Sequence, residues 1–416
     1  MADNLVGELI ACHECDKLYR YERISAGSKA SCHNCGSVLF RHIPNSLNRS
    51  LALFMSALIL IIIANVFPFL SLELGGRVVE NIILSGGWNL YKQGMGELGL
   101  LIFFTSFAFP LFVILGMLYL LIPIRLGYVP PAVGPVYRIV QAIMPWSLVG
   151  VFMLAVLIAI VKLQDLANVI TGPALISLAI LLGVYSAART NFDPEILWSA
   201  MGHPPVDLTA GLTSRNGNIV NCHTCGLLTM EDERHTHCSR CTTPLHHRKP
   251  NSIGNTWALL IAATVLLVPA NLYPILTVIQ FGQGAPDTIL SGIMHLAEDG
   301  MWGLAMIVFI ASIVVPFTKL VALGFLLLTI QYKSNWRSRD RTLLYRVTEV
   351  IGAWSMVDIF LVGILTSLVS LDALSTIEPG IGASYFASAV VITMFAAHNF
   401  DSRLIWDAAQ EGNEEQ

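Results

Sequence analysis

The sequence predicts an all-α polytopic membrane protein with two tandem four-helix transmembrane modules, eight spans in all, each module preceded by a small four-cysteine ribbon. Three observations support this fold class: an apolar composition, an internal repeat and paired cysteines. Of the 416 residues, 55% are hydrophobic and 12% are charged, against roughly 25% charged residues in a soluble domain. The net charge of -4 gives no basic field that would attract nucleic acid.

Eight apolar segments reach or approach the roughly 20 residues that a helix needs to cross a bilayer. An even number of spans places both termini on the same side of the membrane. The predicted spans are 50–71, 98–122, 143–161, 173–188, 256–279, 302–330, 350–370 and 381–397.

The basic residues indicate the orientation of these spans. Lys and Arg are frequent in the N-terminal segment and in segments 189–249 and 333–346, whereas segments 280–300 and 371–380 contain neither. Positively charged loops remain in the cytoplasm, and the N-terminus lacks the basic and apolar regions of a cleaved signal peptide. The pattern therefore predicts a multi-pass protein with cytoplasmic N- and C-termini.

The second half of the chain repeats the first at a shift of about 206 residues. Ala64-Asn-Val-Phe-Pro aligns with Ala270-Asn-Leu-Tyr-Pro, and further on, at a shift of 208, Asn191-Phe-Asp aligns with Asn399-Phe-Asp. Four spans in each copy keep the two copies in the same orientation, so the repeat is parallel and not inverted.

All eight cysteines form Cys-x-x-Cys pairs, and two pairs precede the first span of each half. Thiolates on facing tight turns close a tetrahedral zinc site that has no open position. A ribbon this small buries little core, so we expect the metal to supply its folding free energy and to be structural. The predicted zinc ligands are Cys12, Cys15, Cys32 and Cys35 in ribbon 1 and Cys222, Cys225, Cys238 and Cys241 in ribbon 2.

Two alternatives to zinc stay open at this stage. A cytoplasmic location disfavours disulfides, and sulfur ligands alone do not distinguish zinc from a rubredoxin-like iron. Twelve residues separate Cys225 from Cys238, against sixteen between Cys15 and Cys32, which leaves the turn geometry of ribbon 2 to be determined.

The repeat and the cysteine pairs together divide the chain into units. The C-terminal segment EGNEEQ is polar and is expected to be disordered. The predicted units are a cytoplasmic zinc ribbon 1 (1–45), transmembrane module 1 (46–200), a cytoplasmic zinc ribbon 2 (216–250), transmembrane module 2 (251–408) and a disordered tail (409–416).

Two charged residues fall inside predicted spans of the second module. Lys319 lies in the sixth span and Asp358 in the seventh, where a charge at mid-membrane costs roughly 2.5–3.5 kcal/mol. Ser312 shares a helix face with Lys319, and Ser355 shares one with Asp358. With Thr393 in the last span, these residues form a candidate transport cavity or proton relay. The alternative is a buried Lys319–Asp358 ion pair with a purely structural role.

The first module lacks both charges, since Val113 and Gly150 stand at the positions of Lys319 and Asp358. The shared fold therefore does not require these charges, which favours a functional role for them. Pro316 lies one turn before Lys319 and is expected to bend the sixth span and free backbone carbonyls.

A secondary polar cluster, Lys162 and Asp165, lies at the outer end of the third span. A lysine at this depth extends its ammonium group to the membrane interface. Snorkelling is therefore the favoured explanation of Lys162.

Several motifs of the chain together resemble one known family. They are the paired CxxC tetrads, PANLYPIL, DTILSGIMHLAEDG, VPFTKL, WSMVDIFL and FDSRLIWDA. They are similar to those of the paraquat-inducible protein A family, the PqiA-like and LetA-like inner-membrane subunits of MCE lipid transport systems in Gram-negative bacteria. The resemblance covers nearly the whole chain and implies two zinc ribbons, two four-helix modules and a lipid-sized cavity in the second module. It also implies functional roles for Ser312, Lys319, Ser355, Asp358, Thr393, Lys162 and Asp165.

The function that the resemblance implies is non-enzymatic. Such a subunit passes phospholipid between the inner membrane and a periplasmic MCE tunnel protein and supports outer-membrane and envelope integrity. The sequence contains no Walker motif, so the proton gradient, acting at Asp358 or Lys319, is the candidate energy source. The alternative is a metal- or redox-responsive membrane scaffold that anchors a periplasmic partner. A zinc hydrolase is not favoured, because His295 and Glu298 have no second histidine ligand beside them.

Overall fold

The computed structural model of the protein describes residues 9–22, 24–74, 77–164, 168–202, 219–230, 236–280, 283–368 and 375–414. Helices dominate this part of the chain, and eight helical segments in it are long and apolar enough to cross a membrane. The predicted helical membrane fold with eight spans is therefore confirmed. The spans are Ser46–Val66, Gly96–Arg125, Val133–Lys162, Pro173–Asn191, Ser252–Leu272, Trp302–Gln331, Ser338–Ser367 and Ile381–Asn399.

The secondary-structure elements follow one order in both halves. The helices are α1 (Ser46–Val66), α2 (Ile83–Lys92), α3 (Gly96–Phe103), α4 (Phe109–Arg125), α5 (Val133–Ile143), α6 (Val149–Gln164), α7 (Pro173–Asn191), α8 (Glu195–Met201), α9 (Ser252–Leu272), α10 (Ile289–Glu298), α11 (Trp302–Phe309), α12 (Val315–Gln331), α13 (Ser338–Gly352), α14 (Val357–Leu368), α15 (Ile381–Asn399) and α16 (Leu404–Glu414). The strands are β1 (Leu9–Ala11), β2 (Leu18–Arg20), β3 (Lys29–Ser31), β4 (Val38–Arg41), β5 (Leu70–Leu74), β6 (Arg77–Asn81), β7 (Asn168–Thr171), β8 (Ile219–Asn221), β9 (Leu228–Met230), β10 (Leu276–Gln280), β11 (Gln283–Asp287) and β12 (Ser375–Pro379).

Four of the spans are interrupted helices of 30 residues each. The second and sixth spans contain π-turns at Phe104–Ala108 and Ile310–Val314. The third and seventh contain 3₁₀ turns at Met144–Trp146 and Ala353–Met356. Pro316 is the second residue of the helix that follows the π-turn of the sixth span. A break in the helix is therefore present where Pro316 predicts one.

The third and seventh spans begin earlier than the predicted residues 143 and 350. Their first halves, α5 and α13, carry arginines that lower the local hydropathy, so an apolar window marks only the second half of each span. Arg341 on α13 is 2% exposed and donates hydrogen bonds to Ser334 O and Ser338 Oγ. Arg341 is thus buried with hydrogen-bond acceptors close to it in the chain. The seventh span therefore includes a segment that the charge pattern predicts as a loop.

Two three-stranded antiparallel sheets, which the sequence did not predict, lie at one end of the helix bundle. β5 lies between β6 and β7, and β10 lies between β11 and β12. Leu72 pairs with Val79 in the first sheet, as Val278 pairs with Ala285 in the second. We call this end the sheet face and the opposite end, where the cysteine pairs lie, the ribbon face.

The first and last spans of each module pack against one another, α1 with α7 and α9 with α15. The two modules meet where α14 packs against α6 and α2. Asn81 Nδ2 donates to Ser367 O at 3.1 Å, and Ser367 Oγ donates to Asn81 Oδ1 at 2.8 Å. The seventh span is therefore held between its own module and module 1.

The C-terminal segment differs from the expectation of a disordered tail from residue 409. Helix α16 extends to Glu414, and a Cβ added at Gly412 would meet the Lys333 carbonyl oxygen. Close packing of this helix on the turn after α12 orders residues that are polar in composition.

Candidate metal centres and intramembrane polar site

The eight cysteines form two compact tetrads, in which the four sulfur atoms lie within 4.8 Å of one another. In ribbon 1 the closest sulfur pairs are 3.5 Å apart, and in ribbon 2 they are 3.4 and 3.5 Å apart. Sulfurs bound at about 2.3 Å to one tetrahedral ion lie about 3.8 Å from each other. No disulfide joins any of the eight cysteines, and each tetrad could hold a metal ion.

The turns that hold the sulfurs are alike in all four Cys-x-x-Cys pairs. The residue after the second cysteine has positive φ and donates its N–H to the carbonyl of the first cysteine at 2.8–2.9 Å. These residues are Asp16, Gly36, Gly226 and Thr242. The shorter spacer of ribbon 2 therefore does not change its turn geometry.

The ribbons pack crosswise on the transmembrane modules. Ribbon 1, which precedes module 1, contacts module 2, where Arg346 on α13 donates to Cys35 O at 2.5 Å. Ribbon 2, which precedes module 2, contacts module 1, where Arg138 on α5 donates to Thr242 O at 3.2 Å. Arg138 and Arg346 are equivalent in the 208-residue repeat.

Aromatic residues of α8 and α16 repeat the same crossed contact. Arg240 of ribbon 2 lies over the Trp198 ring of module 1, 5.6 Å from its centroid. Trp406 of module 2, the equivalent of Trp198, packs against the sulfur cluster of ribbon 1. The ribbons also touch each other through a small apolar cluster of Ala11, Ile219 and Leu228.

A charged cluster fixes ribbon 1 to the C-terminal helix. Arg248 donates to Asp16 at 2.7 Å and to Asp407 at 2.7 and 3.0 Å. Burial opposes the charge of Arg248, but the hydrogen bonds of the two carboxylates outweigh burial and raise its pKa. The guanidinium therefore stays charged and bridges the two segments.

The structure buries all five polar residues predicted in module 2. Ser312, Lys319, Ser355, Asp358 and Thr393 are each no more than 7% exposed. The three hydroxyls donate to carbonyls of their own helices, at Val308, Gly352 and Val390.

Asp358 lacks the ion-pair partner that the structural alternative requires. Within the described residues, Lys319 and Asp358 form no ion pair with each other, and Asp358 Oδ2 is buried without a hydrogen-bond partner. The Ser312 hydroxyl lies within reach of the Asp358 carboxyl. The structural ion pair is therefore not supported.

Lys162 belongs to the same polar region and not to a separate one. It lies on α6, which packs against α14, and its ammonium is in electrostatic range of Asp358. Asp287 and Asp299 at the sheet face are also in its range. Asp165, the other member of the secondary cluster, lies outside the described residues.

One acidic residue in this region, Glu349, is not among the residues predicted from the sequence. It lies on α13 in electrostatic range of Lys319, and its side chain is exposed. Comparison of the two repeats could have identified Glu349, because module 1 has the uncharged Gln141 at the equivalent position.

His295 and Glu298 lie at the sheet face, where His295 Nδ1 is 3.6 Å from Glu298 Oε2. Across the described residues, the side-chain groups able to hold a metal ion are the two cysteine tetrads. A hydrolytic zinc site at His295 is therefore not supported.

An apolar groove of about 510 Å³ opens between α2 and α3 in module 1. Trp88, Tyr91, Leu100 and Phe103 line it. Lys319 is not among the residues that line it, and the lipid-sized cavity expected in module 2 stays a prediction.

Comparison with known proteins agrees with the repeat and with the membrane fold. Residues 47–202 and 253–410 each match the family described as paraquat-inducible protein A. Lipophilic envelope-spanning tunnel protein A of Escherichia coli K12 is 34% identical over 407 residues, covering 98% of this chain and 93% of that protein. Intermembrane transport protein PqiA of the same strain is 30% identical over 414 residues, covering 98% and 97%. A probable intermembrane transport protein of Haemophilus influenzae is 28% identical, covering 96% of both chains. No solved structure matches the chain.

Proposed function

Because the chain belongs to the paraquat-inducible protein A family, we propose that it is an inner-membrane subunit of an intermembrane phospholipid transport system. It passes lipid between the inner membrane and a periplasmic tunnel protein of the MCE class, and envelope integrity depends on this transport. The names of the relatives, intermembrane transport protein and envelope-spanning tunnel protein, support movement between two membranes. In this proposal the ribbon face is cytoplasmic and the sheet face is periplasmic.

The observation that carries the proposal is the buried, unpaired charge of module 2. Lys319 is 3% exposed and Asp358 is 7% exposed, and they lie on different helices without pairing. A charge inside a membrane requires a polar ligand, water or a proton. A buried lysine can bind the phosphate of a lipid headgroup, and a carboxyl can take up and release a proton. Module 1 lacks both charges, so module 2 is the transporting module.

The proton gradient is the energy source in this proposal. Asp358 takes up a proton when its cavity opens to the periplasm, which removes the cost of its buried charge. Lys162 is in electrostatic range both of Asp358 and of the sheet-face residues Asp287 and Asp299, and in this proposal it lies on the path by which that proton arrives.

The two cysteine tetrads hold zinc in this proposal, with the eight cysteines as ligands. Zinc supplies folding free energy to the ribbons and, with four thiolates bound, has no open position for substrate. We propose a non-enzymatic role for the chain, in agreement with the names of its transport-protein relatives. Its ribbons join the modules at the cytoplasmic face.

A metal- or redox-responsive scaffold is the second candidate, and the crossed packing of the ribbons favours it. Loss of metal from one ribbon would release the opposite module, through the contacts of Arg138 or Arg346. Such a scaffold would require the ribbons but not Lys319 or Asp358.

Photocrosslinking of lipid separates the two candidates. A photoreactive residue replaces Leu323 on α12, one turn from Lys319, and the matched control replaces Met117, its equivalent in module 1. Both positions are 0% exposed. Capture of phospholipid at Leu323 but not at Met117, detected by mass spectrometry, is the expected result. Absence of capture at both, in protein with metal-loaded ribbons, would favour the scaffold.

A further inference from the structure

Lys319 reaches the backbone of a neighbouring helix near the ribbon face. A Cβ added at Gly352 would lie 2.6 Å from Lys319 Nζ, so the ammonium lies directly against α13 at its last residue. Glu349 is three residues earlier on the same helix and therefore on the same face. The buried ammonium thus lies about one helical turn from an acidic side chain.

Glu349 lies at the protein surface, in electrostatic range of His13 and Glu14 of ribbon 1. Its side chain is exposed, whereas Lys319 is 3% exposed, and Glu349 is the acidic group in electrostatic range of Lys319. The ionisable groups that face Glu349 are Lys319 on α12, Lys249 ahead of α9, His13 and Glu14 of ribbon 1, and Tyr345 on α13 itself.

The internal repeat provides an independent comparison. Where module 2 has Lys319, Glu349 and Gly352, module 1 has Val113, Gln141 and Met144. The module without the lysine also lacks the carboxylate and the glycine that makes room for the ammonium. Serines equivalent to Ser312 and Ser355 are retained at positions 106 and 147. Lys319, Glu349 and Gly352 are therefore all replaced in module 1, whereas both serines are kept in the two modules.

We infer that Glu349 exchanges protons between the buried Lys319 and the cytoplasm. This inference rests on the proposed proton-driven transport. The Lys319 ammonium gives a proton to the Glu349 carboxylate, which leaves a neutral amine and a carboxylic acid. The acid then releases the proton to the cytoplasm and returns to the carboxylate. The amine regains a proton that arrives from the periplasm, the acidic side of the gradient, and the cycle restores both groups.

Proton uptake into proteoliposomes tests this role. The full chain is reconstituted with an internal pH-sensitive dye, an imposed pH gradient and fluorescent phosphatidylethanolamine as the lipid probe. General acid–base groups contribute about a hundredfold or more to proton transfer, so Glu349→Gln should slow uptake by at least about tenfold. Glu349→Asp should retain uptake with a changed pH profile. The matched control, Gln141→Glu in module 1, should behave as wild type because Val113, not a lysine, stands at the module 1 position equivalent to Lys319.

The outcomes separate this inference from the function on which it rests. Wild-type uptake and an unchanged pH profile in Glu349→Gln, with lipid transfer intact, overturn the role of Glu349 and leave transport standing. A wild-type protein that moves neither protons nor the lipid probe overturns both. Metal content and melting temperature are measured for each variant. If Glu349→Gln loses its metal, Glu349→Asp decides, since a wild-type pH profile in that variant contradicts the inference.

Discussion

Arg138 and Arg346 occupy equivalent positions in the two modules, and each donates a hydrogen bond to a backbone carbonyl of the ribbon that precedes the other module. The acceptors are Thr242 O at 3.2 Å and Cys35 O at 2.5 Å. Each module is therefore linked to the ribbon of its neighbour, and the ribbon face joins the two halves of the repeat.

Removing the guanidinium of Arg346 should loosen ribbon 1 from module 2. A hydrogen bond with a charged donor contributes about 1.5–3 kcal/mol, so Arg346→Met should speed amide exchange in residues 9–41 about tenfold to a hundredfold. Arg337→Met is the control, because Arg337 is exposed and pairs with Asp340, three residues later in the chain. Equal exchange in both variants would mean that Arg346 does not hold the ribbon.

A larger side chain at Gly134 should displace ribbon 2 from module 1. A Cβ at this position would lie 2.6 Å from Arg240 O and 2.8 Å from the Cα of Cys241, so Gly134→Leu forces the ribbon to move. Overpacking of this kind costs about 1–3 kcal/mol. Crosslinking between ribbon 2 and α5 should fall while two metal ions remain bound.

The control for this substitution is Gly183→Leu on α7, where nothing lies within 4 Å of an added Cβ. Unchanged crosslinking in Gly134→Leu would show that ribbon 2 does not rest on α5.

Removal of metal should unfold the ribbons and separate them from the helices. We expect two zinc ions per chain by elemental analysis, and one after substitution of Cys238 and Cys241 together by serine. Amide exchange should then rise in residues 219–230 and 236–250, because a ribbon of this size has little core of its own. Iron in the purified protein would contradict zinc, and unchanged exchange in the metal-free protein would contradict a structural role.

Asp401 should make the protein more stable at neutral than at acidic pH. Its carboxylate accepts hydrogen bonds from Arg403 at 2.8 and 2.9 Å and from the N–H of Lys249 at 3.0 Å. Burial would raise the pKa of Asp401, but these donors outweigh it and hold the pKa below the ordinary 3.8. A group whose folded pKa is lowered stabilises the fold fully above about pH 4 and loses this effect as the pH falls through the folded pKa.

Asp401→Asn should therefore lower the apparent melting temperature at pH 7, and the difference from wild type should shrink below about pH 4. Asp193→Asn is the matched control at the equivalent position of module 1. There burial raises the pKa of Asp193, and a single backbone hydrogen bond from Glu195 only partly offsets it. A pH-independent loss of stability in Asp401→Asn would contradict this explanation.

Much of the fold follows from local properties of the sequence. Cysteine spacing predicts both tetrads, because each turn needs only four or five neighbouring residues. The lengths of the apolar segments predict the eight spans. The arginines of α13, however, conceal the first half of the seventh span. Comparison of the two modules shows that the fold does not require the charges of Lys319 and Asp358, because module 1 lacks both.

The features that were missed depend on contacts between distant segments. Leu70 in β5 pairs with Thr171 in β7, about a hundred residues later, so neither of these short strands is evident from its own sequence. Crossed packing of the ribbons has the same origin, because nothing in a Cys-x-x-Cys pair specifies which module it contacts. Lys162 comes near Asp358 only through the packing of α6 on α14, and its sequence position alone favours snorkelling.

The requirement for Lys319 and Asp358 tests the central claim most directly. The barrier function of the outer membrane is measured, as resistance to detergent and to large antibiotics, in cells that depend on this chain. Asp358→Asn and Lys319→Ala should each abolish the barrier while the protein keeps its metal, its melting temperature and its periplasmic partner. Val113→Ala, the module 1 counterpart of Lys319→Ala, should restore it fully. Full restoration by Asp358→Asn and Lys319→Ala would contradict transport through the buried charges of module 2.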